Sequence, residues 1–242
     1  MMRIKKSLKR KLRKRKIQLR KNRIIGRPSD KPKLKLLPRY ASRKKTTTQK
    51  YIIGIYSKSI CSKIDFSNII FINTNLRGSI FKQTKFNGSK FICSDFNGVH
   101  FNCIKFKNTE FKKCLFYGTV FKRSTFDNCQ FKECIFINVK TEALPELNKT
   151  NIVLKRHPYV TLSTGFIEKL NQFKKIEHLT KSRLIHIKGG KINHATFYAI
   201  TTLFNNKEET VVLSLEKIFE KQGKKTPYTV GSLIENLKKI DS

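Results

Sequence analysis

Apolar and polar positions follow a five-residue period across the middle of the chain. Fifteen positions lie on this lattice between 66 and 136, and fourteen of them are Phe while one is Leu76. An α-helix repeats every 3.6 residues and a strand every two, so neither element explains the period. The pattern indicates a repeat architecture, in which each unit buries its apolar side chain by stacking on its neighbours.

A second lattice lies two residues before each of these positions. From 64 to 139 it contains only Ile, Val, Thr, Ser and Cys, so none of its residues is charged. The other three positions of each unit are rich in Lys, Asn, Gly, Gln, Asp and Glu. Each unit therefore contains two apolar or small positions separated by one residue.

This repeat resembles the pentapeptide-repeat family. The units 84–88, 94–98 and 119–123 show the family pattern of a small residue followed two positions later by a large apolar one. The resemblance covers about residues 51–140. It implies a mainly β fold, a right-handed four-sided β-helix in which both positions point inward and four pentapeptides form one coil.

With twenty residues in a coil, residues twenty apart should stack roughly 4.8 Å from each other, as in neighbouring strands. One predicted ladder contains Phe71, Phe91, Phe111 and Phe131. Glycine or Asn recurs at 78, 98, 118 and 138, which supports this register because both residue types accept a positive φ at a corner. Tyr51, Tyr56 and Cys61 keep the phase upstream and predict a degenerate first coil.

The net charge of +37 requires an anionic partner. Residues 1–50 carry +21, residues 51–140 carry +9 and residues 141–242 carry +7. A chain this basic repels itself, and dense like-charge blocks stay disordered alone. Nucleic acid is the first candidate partner and an anionic membrane surface is the second.

Residues 1–50 form a basic arm that we interpret as RNA-binding. The arm buries too little apolar surface to fold alone, and its prolines impose an extended path after residue 27. It is similar to the tails with which ribosomal proteins thread between rRNA helices. The alternatives are a solvated or localisation tail and a membrane-binding segment. Membrane binding is not favoured, because the arm has no broad apolar face opposite its charges. The candidate RNA-binding residues are Arg3, Lys5, Lys6, Lys9, Arg10, Lys11, Arg13, Lys14, Arg15, Lys16, Arg20, Lys21, Arg23, Arg27, Arg43, Lys44 and Lys45.

One outward surface of the repeat changes from polar to apolar along its axis. The outward residues beside Phe116 and Phe136 are Leu115, Tyr117, Ile135 and Ile137. An exposed apolar patch rimmed by polar residues usually marks a contact surface. We predict a protein-docking face here, occupied either by the chain's own C-terminal segment or by a partner protein.

Residues 141–242 form a third domain, which the pattern predicts to be small and mainly helical. Pro145 and the polar residues 148–151 end the repeat. Helices are expected around 166–176, 193–204, 208–221 and 228–240, with Ser163 near the first start and Pro227 opening the last. A short strand is expected at 183–188, before Gly189 and Gly190.

Catalytic residues, cofactors and metal ligands are not evident in the chain. The six cysteines all lie in the repeat, where free Cys packs as a small hydrophobic residue. Cys93 and Cys103 should point outward on opposite sides of the coil, which leaves neither a disulfide nor a zinc site. The Gly189–Gly190 pair could cradle a phosphate at a helix start, but it lacks the P-loop spacing and a plain turn is favoured.

These features together predict a non-catalytic, RNA-binding structural component of a large ribonucleoprotein. A ribosome is the favoured setting, cytosolic or mitochondrial, with rRNA and neighbouring proteins as partners and no small-molecule substrate. No transmembrane helix and no secretory signal is expected, so the protein should be neither membrane-inserted nor secreted. The alternatives are a DNA-associated or topoisomerase-modulating pentapeptide protein, and a protein–protein adaptor with a localisation tail.

Overall fold

The computed structural model describes residues 50–142, 144–203, 208–220 and 229–239. Its first part is a stack of short strands, most of them three residues long. The strands are β1 (Lys50–Ile55), β2 (Ile60–Ser62), β3 (Ile70–Asn75), β4 (Ile80–Lys82), β5 (Lys90–Ile92), β6 (His100–Asn102), β7 (Lys105–Lys107), β8 (Glu110–Lys112), β9 (Leu115–Tyr117), β10 (Val120–Lys122), β11 (Thr125–Asp127), β12 (Gln130–Lys132), β13 (Ile135–Ile137) and β14 (Ile152–Leu154).

The strands form a parallel β-helix with four faces, numbered here in chain order. Face 1 contains β1, β3, β5, β8 and β12; face 2 contains β9, β13 and β14; face 3 contains β2, β4, β6 and β10; face 4 contains β7 and β11. Partners from successive coils are twenty residues apart, as in the pairing of Phe71 with Phe91. The predicted four-sided β-helix is confirmed, and β1 pairs with β3 to supply the predicted first coil.

The core of the β-helix is a set of stacked phenylalanine ladders. Ring centroids in the predicted ladder are 4.6 Å apart for Phe71 and Phe91, 5.1 Å for Phe91 and Phe111, and 4.7 Å for Phe111 and Phe131. Rings on adjacent faces meet edge to face instead. Burial contributes about 1.5–3 kcal/mol for each Phe, and each ring pair adds about 0.5–1.5 kcal/mol.

Several of the small inward positions are occupied by Ser, Thr or Cys, whose side chains bond to the backbone of the preceding coil. Ser89 Oγ donates to the carbonyl of Phe66 at 2.7 Å, and Thr119 Oγ1 donates to the carbonyl of Phe96 at 2.8 Å. Cys134 Sγ makes the equivalent contact with the carbonyl of Phe111 at 3.3 Å. Ser, Thr and Cys suit this lattice because each is small enough for the core and can satisfy its own buried donor.

Every corner of the β-helix has a left-handed backbone conformation. The predicted positive φ is confirmed at Gly78, Gly98, Gly118 and Asn138. The same conformation recurs at each fifth residue from 58 to 138, and it includes residues such as Lys63, Gln83 and Glu133. Because non-glycine residues rarely adopt this conformation, thirteen of these seventeen corners place a side chain where glycine is favoured.

The C-terminal region is mainly helical, as the sequence predicts. Ser163 caps its first helix by accepting a hydrogen bond from Phe166 N. The last helix begins after Thr229, whose side chain and that of Ser232 form a capping box; Pro227 lies outside the described residues. The helices are α1 (Thr164–Gln172), α2 (Glu177–Ser182), α3 (His194–Leu203), α4 (Glu208–Glu220) and α5 (Val230–Lys238), with a 3-10 turn at Phe173–Lys175.

The strand predicted at 183–188 is wrong. Only His186 pairs there, in an antiparallel bridge with Ile192 across the Gly189–Gly190 turn. Side chains from the start of α3 replace a strand partner: Asn193 Nδ2 donates to the carbonyl of Arg183, and Thr196 Oγ1 donates to that of Leu184. With those carbonyls satisfied, the ladder does not extend.

The parallel ladder continues past the polar residues 148–151, although the five-residue repeat has ended before them. Asn151 acts as a backbone substitute at the last coil, where its Oδ1 accepts from Cys134 N and its Nδ2 donates to the carbonyl of Phe131, both at 2.9 Å. Strand β14 follows and pairs with β13.

Within the described ranges, no helix has the length and apolar character needed to cross a membrane.

Candidate docking and nucleic-acid interfaces

The predicted protein-docking face is covered by the chain's own C-terminal region. Leu115, Ile135 and Ile137 on face 2 are buried, and Tyr117 is half-buried. All four lie in or against one hydrophobic cluster with residues of the C-terminal helices, such as Leu170 and Leu233. Of the two occupants predicted for this face, the chain's own C-terminal segment is the one that covers it in the described structure.

Strand β14 and helix α2 fix this contact on face 2. The register of β14 places Ile152 beside Ile135 and Leu154 beside Ile137. Further along the face, Asn75 Nδ2 donates to the carbonyl of Ser182 at the end of α2, at 3.1 Å. The C-terminal region thus bonds to face 2 both at its apolar end and at its polar end.

A second set of polar contacts holds the N-terminus of α5 against the β-helix. Thr229 Oγ1 donates to the carbonyl of Cys93 at 2.6 Å. Val230 N, the first amide of the helix, donates to both carboxylate oxygens of Asp95, at 3.3 and 3.2 Å. A carboxylate at this position also interacts favourably with the positive end of the helix dipole.

Asp95 is the most strongly perturbed carboxyl in this contact. Burial raises the pKa of Asp95 to about 7, although the hydrogen bond from Val230 N and the charge of Arg77 act in the opposite direction. Burial also lowers the pKa of the Arg77 guanidinium, and the positive charge of Arg183 adds to that effect. The contact therefore contains a carboxyl that titrates near neutral pH.

The approach of α5 to the β-helix depends on Gly231. A Cβ atom at this position would lie 2.5 Å from the carbonyl oxygen of Lys113 and 2.9 Å from Cys93 Cα. Both neighbours are backbone atoms, so a side chain cannot be accommodated by a rotamer change. Gly231 is present because the helix backbone packs directly on the corner residues of face 1.

An ion pair lies at the solvent-exposed edge of the contact between α5 and the β-helix. Lys113 Nζ lies 2.5 Å from Glu235 Oε1 of α5 and 3.7 Å from Glu133 Oε2. The hydrogen bond from Lys113 lowers the pKa of Glu235, and the same bond raises the pKa of Lys113. A cleft of about 210 Å³ lies beside this pair, below the roughly 300 Å³ at which small-molecule pockets begin.

Cys93 is buried because α5 covers the corner at which it lies, and the Cβ position of Gly231 is 3.1 Å from Cys93 Cβ. Its corner follows a strand of face 1. Cys103 lies at the corner that follows a strand of face 3, where no described helix covers it, and it is half-buried. Burial raises the pKa of the Cys93 thiol to about 12, which leaves it protonated and unreactive at neutral pH. Across the described residues, no group of three or more His, Cys, Asp or Glu side chains could hold a metal ion.

The Gly189–Gly190 pair forms a hairpin turn. Gly190 N donates to the carbonyl of Ile187 at 3.1 Å, and Ile187 N donates to the carbonyl of Lys191 at 2.8 Å. Since the Gly190 amide bonds within the turn, it is not directed at a ligand. The plain turn favoured by the sequence describes this segment.

The basic residues divide into those outside and those inside the described structure. The candidate RNA-binding residues of the arm, from Arg3 to Lys45, lie outside the described residues. On the β-helix, Lys107 of face 4 lies 3.7 Å from Asp127, while Lys90 and Lys132 of face 1 lie 3.6 and 3.9 Å from Glu110. The lysines of these two faces therefore share their surroundings with carboxylates.

Face 3 differs from the others in charge and in surface. Its outward positions include Lys82 and Lys122 on the strands and Lys63 and Arg123 at the corners, with no Asp or Glu. Exposed aliphatic side chains lie on the same strands. The twenty-residue register reveals this segregation of charge by face, which the sequence analysis did not identify.

The parallel coils, inward lattices and left-handed corners define a repeat β-helix with a helical region packed against one face. The family model described as Pentapeptide repeats (8 copies) matches residues 59–98 and 100–138. The middle third of the chain is therefore a pentapeptide-repeat domain and belongs to that family.

Solved pentapeptide repeat proteins match parts of this chain at low sequence identity. Rfr23 from the cyanobacterium Cyanothece 51142 is 11% identical over 46% of this chain and 69% of its own, with a TM-score of 0.27. A protein from the Arabidopsis thaliana thylakoid lumen is 14% identical over 60% of this chain and 88% of its own, with a TM-score of 0.17.

QnrB1, a plasmid-mediated fluoroquinolone resistance protein, is 13% identical over 48% of this chain and 86% of its own, with a TM-score of 0.15. None of the curated proteins compared with the chain matches its sequence.

Proposed function

We propose that this protein is a non-catalytic, RNA-binding structural component of a large ribonucleoprotein, with the ribosome as the favoured assembly. The observation that carries the proposal is the uneven charge: +21 of the net +37 lies in residues 1–50, directly before the first strand of a rigid β-helix. Such a segment neutralises phosphates and releases their counterions when it binds. A cytosolic and a mitochondrial ribosome are both compatible with it.

In this proposal the three parts have separate tasks. The arm contacts rRNA phosphates through the basic residues between Arg3 and Lys45. The β-helix is a rigid spacer, because its core is continuous along the coils. The C-terminal region remains packed on face 2 and adds surface for neighbouring proteins. No cofactor, metal ion or small-molecule substrate has a role.

Two observations weaken the alternatives. Residues 64–140 carry a net charge of +7, which is the wrong sign for a pentapeptide protein that imitates DNA on a topoisomerase. A protein–protein adaptor that used the predicted docking face would need accessible Leu115, Tyr117, Ile135 and Ile137, and three of these four are buried against the C-terminal region.

Ultraviolet crosslinking in cells, followed by sequencing of the bound RNA, tests the proposal. We expect reads at a few rRNA segments and crosslinked peptides between residues 3 and 45. A variant lacking residues 1–45 should lose RNA association while its circular dichroism spectrum retains the β-helix signal. DNA in place of RNA, or RNA association that survives the deletion, would contradict the proposed role of the arm.

Salt dependence supplies the in vitro control. Affinity of the full chain for a structured rRNA fragment should fall steeply with salt, because the slope of log K against log salt is about −0.9 for each phosphate neutralised. Duplex DNA of equal length distinguishes the DNA-associated alternative. If the duplex binds as tightly as the RNA, the preference for RNA is wrong.

A further inference from the structure

Face 3 carries an exposed aliphatic ridge. Ile60, Ile80, His100 and Val120 occupy the same outward position in four successive coils, since the register pairs Ile60 with Ile80, Ile80 with His100, and His100 with Val120. The three aliphatic side chains are 39%, 41% and 41% exposed. Large aliphatic side chains aligned in this way on a monomer surface indicate a contact site.

The ridge is flanked by positive charge on one side. Lys82 and Lys122 lie two positions after Ile80 and Val120 on the same strands, and Lys63 and Arg123 occupy the adjoining corners. None of these four takes part in an ion pair among the described residues. Face 3 is thus an aliphatic row beside a basic row.

From this juxtaposition we propose that face 3 is the docking site for an acidic amphipathic helix of another protein. Such a helix has an apolar stripe for the ridge and carboxylates for the basic row. Its turns repeat every 5.4 Å, close to the roughly 4.8 Å between coils, so a helix parallel to the coil axis places one apolar residue on each rung. Four coils accommodate about three helical turns.

The charge of face 3 excludes the other occupants that the chain itself could supply. A second copy would bring the same basic row, and residues 1–50 carry +21, so both are repelled. RNA would use the lysines but gains nothing from Ile60, Ile80 and Val120. Base stacking uses aromatic side chains, and His100 is the single aromatic residue among the outward positions of β2, β4, β6 and β10.

This inference is independent of RNA binding by the arm. It assigns the β-helix a protein partner within the assembly. The docking surface for that partner is face 3, because face 2 is covered by the C-terminal region. Substitutions in the apolar ridge can separate RNA binding by the arm from protein binding by face 3, because they remove aliphatic surface without changing any charge.

Fluorescence anisotropy of the full chain with a synthetic peptide tests the proposal. The probe is a fluorescein-labelled peptide of about three helical turns, with Leu on one stripe and Glu beside it. Its control is a scrambled peptide of the same composition, which reports binding to the basic arm. The variant Ile60→Ser/Ile80→Ser should bind the amphipathic peptide about tenfold more weakly, since aliphatic contacts lose their burial, and should bind the scrambled peptide unchanged.

Val153→Ser is the matched control, because Val153 is a strand aliphatic residue of β14 that is 46% exposed and lies away from face 3. It should leave binding unchanged. Equal affinity for the two peptides, or equal affinity of the wild type and Ile60→Ser/Ile80→Ser, would overturn the proposal. Loss of binding to a single-stranded RNA probe in Lys82→Glu/Lys122→Glu, without any peptide preference, would assign face 3 to RNA instead.

Discussion

The carboxylate of Asp95 on the β-helix accepts hydrogen bonds from the backbone amide of Val230, at the start of the last helix and 135 residues later in the chain. The two residues join the repeat to the C-terminal region. Because Asp95 is buried and its pKa is raised from 3.8 to about 7, this connection depends on pH.

Asp95→Asn should reduce the pH dependence of stability. A carboxyl whose pKa is higher in the folded than in the unfolded state binds more protons when folded, so the free energy of unfolding falls as the pH rises from about 4 to about 7. The amide keeps an oxygen that can accept from Val230 N but carries no charge. Urea denaturation should show the variant more stable than the wild type at pH 8, by on the order of 1 kcal/mol or more.

Asp127→Asn provides the control for this experiment, because Asp127 is an exposed residue of face 4. Its unfolding curve should follow the wild type between pH 5 and pH 8. A lower stability of Asp95→Asn at pH 8 would mean that the charge stabilises the start of α5 by more than its burial costs.

Gly231→Ala should destabilise the contact between α5 and the β-helix. The new methyl group would lie within 3 Å of two backbone atoms of the β-helix, so the helix must move, at a cost of about 1–3 kcal/mol. Hydrogen exchange should show faster exchange in α5 while the phenylalanine coils keep their protection.

The control is Gly165→Ala in α1, where no atom lies within 4 Å of the added methyl group. There the substitution should raise stability by up to about 1 kcal/mol, as expected for Ala in a helix. Equal effects of the two alanines would show that Gly231 is not required for close packing.

The β-helix could be predicted from the sequence because its determinants recur locally. Each coil repeats the same inward lattice, so Phe91 and Phe111 identify each other through a fixed spacing of twenty residues. The contact of the C-terminal region has no such regularity. Cys93 and Thr229 are 136 residues apart, and neither has a neighbouring residue that indicates its partner. The apolar residues Leu115 and Ile135 predicted that something covers face 2, but not which segment.

The two features missed in the sequence have different causes. The ridge of face 3 is spread over sixty residues, and His100 interrupts its aliphatic pattern. The strand β14 follows a polar run that reads as a terminator. In the structure the side chain of Asn151 bonds to the last coil, and this capping role depends on side-chain geometry that composition does not reveal.

Thr119→Val should measure the contribution of the inward hydroxyl groups. The variant keeps the shape of the side chain but removes the bond to the Phe96 carbonyl. That carbonyl retains a bond from Val99 N at 3.0 Å, so the loss in unfolding free energy should be about 0.5–1.5 kcal/mol. Thr125→Val on the exposed surface of β11 should change stability by no more than about 0.5 kcal/mol. A Thr119→Val variant as stable as the wild type would show that burying the hydroxyl costs as much as its bond contributes.

Corner substitutions should change stability in opposite directions at equivalent positions. Gln83 is exposed and has a φ of 51°, a conformation that costs a non-glycine residue roughly 1–2 kcal/mol. Gln83→Gly removes this cost, although the more flexible unfolded chain offsets about 0.5–1 kcal/mol. Thermal unfolding should therefore show a gain of up to about 1 kcal/mol.

Gly98→Ala is the reverse test, since Gly98 has a φ of +63° and no atom within 4 Å of an added methyl group. Its destabilisation should be about 1 kcal/mol, and with no steric clash this reports the backbone conformation alone. Lys82→Gly, one residue before the Gln83 corner but in the extended strand β4, should lose about 0.5–1 kcal/mol. If glycine destabilised positions 82 and 83 alike, the corners would not be strained, and the side chains there would be stabilising the coil.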